Sequence, residues 1–305
     1  MASAPAGDMR RHREITSRPR ELEDPLNFYF YHPLAARLAR ALVPTGISPN
    51  AVSVVSGLLV VAGALAYTRI SWPAGVLLGL TCHMLWHIVD GADGDLARMT
   101  GKASATGELV DGVCDYAGNV IMYFLFAFLL DDTLGGWAWV LAWSAGGSHI
   151  IQTNHAESQR RSYLWWAYGV PWLKTAEKGG DDDLFERRSW FARYFGFFAE
   201  GYIRLAHVMS PGVPAIDAAF ASAAGDEARI QRMRAAVREA APLSILFEKS
   251  LGGNPKTLII AAAMALGSSA YYFATVIFAL NLLMLISIRH HNRVNRRLAA
   301  LLPTL

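Results

Sequence analysis

The sequence predicts an all-α integral membrane protein with six transmembrane helices and an N-terminal interfacial amphipathic helix. Three observations carry this expectation. Apolar residues make up 53% of the 305-residue chain and charged residues only 17%, more apolar and less charged than soluble domains. Apolar stretches recur near 51–68, 72–92, 108–130, 136–156, 257–268 and 270–288, and a span needs about 20 such residues. The basic residues are also sorted. With both termini cytoplasmic, the outer loops are 69–71, 131–135 and Gly267-Ser268-Ser269. Of the 28 Lys and Arg residues only Arg69 then lies outside, a strong positive-inside bias.

The elements follow in chain order. Residues 1–25 form a polar, Arg-rich cytoplasmic arm with no apolar stretch that would make a signal peptide. Residues 26–46 hold the interfacial helix. Pro33 suits a first helical turn, Leu34, Leu38 and Leu42 share one face, and Arg37 and Arg40 point elsewhere, the pattern of a helix lying on an anionic leaflet. Residues 47–170 carry helices one to four, opened by Gly46-Ile47-Ser48-Pro49-Asn50. Residues 171–254 form a cytoplasmic insertion, with one surface helix expected over Glu186–Met209. A second, over 226–241, has Ile230, Met233 and Val237 at helical spacing. Residues 255–305 hold helices five and six and a basic tail.

The stretch from Asp90 to Asp115 stands apart. Asp90, Asp93, Asp111 and Asp115 lie in otherwise membrane-grade sequence, where ionisable groups are expensive and functional. Asp90 and Asp93 share a helix face by spacing, and so do Asp111 and Asp115. Between them, residues 99–106 are small or polar. A turn near 102–103 brings all four carboxylates to two adjacent levels of an antiparallel hairpin. Two unit charges about 4 Å apart repel by roughly 4 kcal/mol at an effective dielectric near 20, so the cluster calls for cations. Oxygen ligands suit Mg²⁺, Mn²⁺ or Ca²⁺ rather than zinc, and two such ions in one site clamp a phosphoryl displacement.

The pattern Asp90-x2-Asp93-Gly94-x2-Ala97-Arg98-x8-Gly107-x3-Asp111-x3-Asp115 resembles, with no gap or mismatch, the signature of the CDP-alcohol phosphotransferases, also called CDP-alcohol phosphatidyltransferases. The wider resemblance covers roughly 47–170 and 255–290. It implies two Mg²⁺ or Mn²⁺ ions held by the four aspartates against the pyrophosphate of a CDP-linked lipid or CDP-alcohol. Asp115 is the implied general base for an alcohol acceptor, and CMP leaves. Gly94 and Ala97 are small enough for the nucleotide to approach, Arg98 reaches a phosphate, and Asn50, Ser53 and Ser104 lie near the nucleotide. The implied setting is phospholipid biosynthesis by a homodimer in the bacterial inner (cytoplasmic) membrane, among membrane lipids, with the site facing the cytoplasm. No nucleic-acid partner is expected.

Other readings stay open. The most direct reaction is phosphatidyl transfer from CDP-diacylglycerol; CDP-choline or CDP-ethanolamine donating to a lipid hydroxyl is the alternative within the family. A membrane prenyltransferase also uses Asp-rich motifs, but those lie far apart along the chain. A membrane cation transporter would use the carboxylates yet have no need of Arg98. His155, Arg160, Arg161 and Arg289 could build an acceptor pocket suited to a phosphorylated alcohol, or form a positive-inside flank. His83 and His87 share a face with Asp90, either as interior hydrogen-bonded histidines or as zinc ligands. Asp181-Asp182-Asp183 lacks EF-hand spacing and reads as a solvated loop. Cys82 and Cys114 imply no disulfide, and Gly75 and Gly79 imply tight helix packing.

Overall fold

A computed structural model of the chain describes residues 19–170, 201 and 204–305. Among the described residues all regular structure is helical. The chain divides into two compact units. One comprises Pro25–Gln152 and Leu251–Leu282; the other comprises described residues from 1–24, 153–250 and 283–305.

The first unit is the apolar bundle. Its elements are α1 (His32–Leu42), α2 (Pro49–Arg69), α3 (Ala74–Met99), α4 (Ala105–Leu134), the first half of α5 (Gly136–Tyr168) and α9 (Gly253–Ala265). It also takes the start of α10 (Ser269–Thr304). Local chemistry sets the boundaries. The Ser48 hydroxyl accepts from the Ala51 amide at 3.2 Å with Pro49 in the first turn, and Ser104 accepts from the Gly107 amide at 3.1 Å. Both satisfy amides that a helix start leaves open. Gly101, at φ 66°, ends α3: the Lys102 amide reaches back to the Ala97 carbonyl at 2.9 Å, a left-handed cap that favours glycine. The expected turn near 102–103 thus stands. Both of its helices run further toward it than the apolar pattern alone predicts.

Among the described residues four helices are long and apolar enough to cross a membrane: Pro49–Arg69, Ala74–Met99, Val110–Leu134 and Ser269–Thr304. The other two of the six expected spans fall short for different reasons. The 136–156 stretch lies in α5, which is long enough but carries Ser148, His149, Gln152, Asn154 and His155. The 257–268 stretch lies in α9, which is apolar but has 13 residues, or roughly 20 Å of helix. The polar face of α5 is spent inside the bundle. Gln152 donates to the Val276 carbonyl at 2.9 Å and to Asn281 Oδ1 at 2.8 Å, and Asn281 donates to Ser148 at 2.8 Å. Val276 sits in a π-helical stretch, Thr275–Leu280, where the ordinary i to i+4 ladder is interrupted.

α2 packs along both α3 and α4, and glycines let it do so. A Cβ on Gly57 would lie 2.9 Å from the Cys114 carbonyl oxygen of α4. One on Gly79 of α3 would lie 2.5 Å from the Tyr67 ring, the tight packing its spacing predicts. α1 docks on α3 through Ala35, which would meet a Cβ on Gly91 at 3.2 Å. Ala39, Ala92, Leu96 and Val52 are buried with it. The docked face therefore runs through alanines, while Leu34, Leu38 and Leu42 are only half-buried.

The second unit is a helical module of α6 (Val213–Ser222), α7 (Glu227–Ala240), α8 (Pro242–Leu251), the second half of α5 and the end of α10. Met233 and Val237 of α7 are buried as their spacing predicts, in a core with Trp166, Ile216 and Leu302. Asp226 caps α7 by accepting from the Arg229 amide at 2.9 Å. Asp181-Asp182-Asp183, most of the surface helix expected over Glu186–Met209 and most of the 1–25 arm lie outside the described residues.

Overpacking a close backbone contact costs about 1–3 kcal/mol. Gly57→Val should therefore lower the thermal unfolding midpoint of the detergent-solubilised protein, whereas Gly112→Val, where a Cβ meets nothing within 4 Å, should lower it much less.

Candidate functional site

The α3–α4 hairpin brings together three of the four acidic residues that its spacing predicts to meet, Asp90, Asp93 and Asp111. Asp90 and Asp93 occupy the last turns of α3, and Asp111 and Asp115 the first turns of α4. One oxygen each from Asp90, Asp93 and Asp111 lies within 4.8 Å of the others. Asp93 is buried, at 6% exposure, and its Oδ2 accepts a 2.5 Å hydrogen bond from Ser53 of α2. Asp111 Oδ1 is buried and has no hydrogen-bond partner among the described residues. Three hard oxygens converging on one point, one of them otherwise unsatisfied, fit a divalent cation of the Mg²⁺ or Mn²⁺ kind.

Asp115, one turn beyond Asp111, is not among the three whose oxygens close to 4.8 Å. Its Oδ1 accepts from the indole Nε1 of Trp86 at 3.0 Å. Trp86 lies one turn before Asp90, on the face that Asp90 and Asp93 share, which is the one signal in the sequence that could have singled it out.

The other expected contacts divide. Ser53 faces Asp93 and Ser104 caps α4, so both hydroxyls have structural partners. Asn50 is exposed at the start of α2, its Oδ1 3.7 Å from where a Cβ on Gly107 would sit. Gly94 lies under Arg98, whose guanidinium would be 3.4 Å from a Cβ there. Arg98 itself pairs with Asp95 at 2.6 Å. Asp95 was not anticipated, although its i, i+3 spacing to Arg98 was visible. Ala97 is half-buried on α3. His83 lies 3.1 Å from the Gly79 carbonyl and stacks on Tyr67. His87 lies 2.9 Å from the Thr257 hydroxyl. Neither joins a metal-type group among the described residues, in line with interior histidines.

The proposed acceptor residues belong to the second unit. His155 is buried, 2.9 Å from the Ser287 hydroxyl and edge-on to His291. Arg160 grips Glu157 with two 2.8 Å hydrogen bonds, and Arg161 donates to the same carboxylate. Arg289 is exposed. Burial alone would raise Glu157, but Arg160 and Arg161 hold it down to about 2. Glu248, nearby on α8, is pushed up to about 8 by burial, which outweighs the pull of Arg160 and is reinforced by Glu157. A carboxyl raised in the fold contributes stability that is complete below its unfolded value and is lost as pH rises through its folded value. Glu248→Gln should therefore raise the thermal midpoint at pH 9 and leave it unchanged at pH 4. An equal gain at both would point to packing rather than ionisation.

Residues 46–160 match the family model described as CDP-alcohol phosphatidyltransferase. The match includes the whole Asp90–Asp115 hairpin and the α2 helix that packs behind it. No curated protein matches the chain. With the motif intact and three of its carboxylates converging in three dimensions, residues 46–160 carry a match to the CDP-alcohol phosphatidyltransferase domain, a family whose members transfer substituted phosphates in phospholipid biosynthesis.

Proposed function

We propose that the protein transfers the phosphatidyl group of CDP-diacylglycerol to an alcohol, releasing CMP. The convergence of Asp90, Asp93 and Asp111 within the family motif carries this reading. Those three residues and Asp115 would hold two Mg²⁺ or Mn²⁺ ions, which when bound supply charge neutralisation for the pyrophosphate and the departing CMP.

The chain's own groups do the rest. Asp115, the fourth carboxylate of the motif, takes the proton of the acceptor hydroxyl. The resulting oxygen forms its bond to the phosphorus distal to cytidine as the bond from that phosphorus to CMP breaks. Arg98 is exposed and needs only to release Asp95 to meet a phosphate, where its fork of donors fits well. Asn50 and Ser104 flank the first turn of α4, Ala97 and Gly94 keep the α3 side open to the nucleotide, and Ser53 orients Asp93. Positioning and electrostatics thus account for most of the catalysis.

A cytoplasmic site is the reading supported by the charge bias, since all Lys and Arg but Arg69 lie on one side of the assumed topology. A cytosolic nucleotide and a lipid tail meet naturally there. Two arginines on Glu157 keep a phosphorylated acceptor within this reading.

Purified protein with Mn²⁺ and CDP-diacylglycerol should release CMP only when the right alcohol is added, and a panel of alcohols names it. Asp115→Asn should lower turnover by about 10²–10⁴-fold while the protein still inserts. Undiminished activity in that variant removes Asp115 from the base role. CMP released only from CDP-choline or CDP-ethanolamine with a diacylglycerol acceptor would replace the proposed donor with the family's alternative.

A further inference from the structure

α10 is longer than a membrane needs. It runs for 36 residues, or roughly 54 Å at 1.5 Å per residue. A hydrocarbon core of about 30 Å takes up roughly 20 of them. The helix begins just after the turn at Gly267, where φ is 90°. A span that starts there leaves the core close to Arg289, one residue short of His290 and His291. The turns beyond carry Arg293, Arg296 and Arg297 as well, and the whole helix has no Asp or Glu.

The charge is sorted by face. Leu285, Arg289, Arg293 and Arg296 recur at i, i+4, i+8 and i+11, one side of a helix, and all four are exposed. Met284, Ser287, His291, Asn295 and Leu298 share the opposite side and are buried. The arginines therefore point away from the rest of the protein, and an apolar residue leads into them from the membrane side. Among the described residues none of the three pairs with a carboxylate. Arg296 donates only to its own helix, at the Asn292 carbonyl, 3.1 Å away.

On a soluble helix such a stripe would be a solvated face. Here the helix length decides otherwise. Arg289 falls at the edge of the core, Arg293 roughly 6 Å and Arg296 roughly 10 Å further out along the axis. All three thus lie in the headgroup layer or within about a Debye length of it. Their long stems let the charged ends reach back to that layer, and a guanidinium fork matches phosphate oxygens.

We propose that the Arg289, Arg293 and Arg296 face of α10 is a docking surface for the headgroup of an anionic phospholipid, whose acyl chain lies along the Leu285 side of the same helix. Basic residues just beyond a span attract anionic lipid in this way. An acidic protein would meet the arginines equally well but makes no use of the apolar approach. The proposal rests on the chain spanning a membrane, not on the donor or the base assigned above.

The test uses the full chain reconstituted in phosphatidylcholine bilayers that carry a trace of spin-labelled lipid. Electron paramagnetic resonance reads the fraction of label immobilised at the protein. Labelled phosphatidic acid should be immobilised severalfold more than labelled phosphatidylcholine, and raised salt should shrink the difference. Arg293→Gln with Arg296→Gln should remove most of the preference, and Arg293→Lys with Arg296→Lys should keep most of it. Arg229→Gln with Arg232→Gln takes the same charge from α7, where both side chains donate to carbonyls at the end of the chain, and should leave the preference in place. Should the α10 glutamine pair fail to reconstitute, Arg289→Gln alone carries the test with a smaller loss. An equal loss in the α7 pair would reduce the effect to net charge and overturn the site. No preference for phosphatidic acid in the wild type would also overturn it and leave the stripe to a protein partner.

Discussion

Three carboxylates whose oxygens lie within 4.8 Å of one another repel by several kcal/mol if all are ionised, and they sit in the span-length helices of an apolar bundle. That repulsion is the constraint the rest of the bundle answers to. The hairpin must bring Asp90 and Asp93 opposite Asp111, so its turn is tight and closes with Gly101 at φ 66°. The site must also be rigid enough that the carboxylates do not relax apart. Ser53 supplies part of that rigidity from α2, with a hydroxyl aimed at Asp93. A divalent cation held there would offset the remaining cost.

Rigidity at the site depends on close packing behind it. α2 approaches α4 until the Gly57 position meets the Cys114 carbonyl, and approaches α3 until Gly79 meets Tyr67. A side chain at either place would move the arm of the hairpin that carries the aspartates. The buried polar contacts continue the same logic away from the site. Tyr123 lies 3.0 Å from His149 and 3.1 Å from Tyr272, joining α4, α5 and α10. Satisfied networks of this kind rigidify an apolar interior because each member is costly to leave unpaired.

Much of the hairpin was legible in the sequence, because helix rise is fixed and the residues around 102 can only turn. Spacing therefore put Asp93 level with Asp111 before any coordinate was known. The caps were less visible. Ser104 and Ser53 are hydroxyls near a nucleotide motif, and only the structure shows one closing a helix and the other holding an aspartate. Four of the six expected spans have the length and hydropathy of a span among the described residues; in the other two composition and burial part company, since α5 carries polar residues that face other helices, and α9 is short. The partners of Asp115 and His87 were beyond reach. Trp86 meets a residue 29 positions away and His87 one 170 positions away, and no local pattern encodes such pairs.

The account stands or falls on whether the triplet binds a cation. The most direct measurement is a Mn²⁺ titration of the purified, detergent-solubilised protein, comparing wild type with Asp93→Asn and Asp111→Asn. The account predicts tight Mn²⁺ binding by the wild type and its loss in both variants, with helical content and insertion retained. Mn²⁺ bound equally by all three proteins, or by none of them, would contradict it.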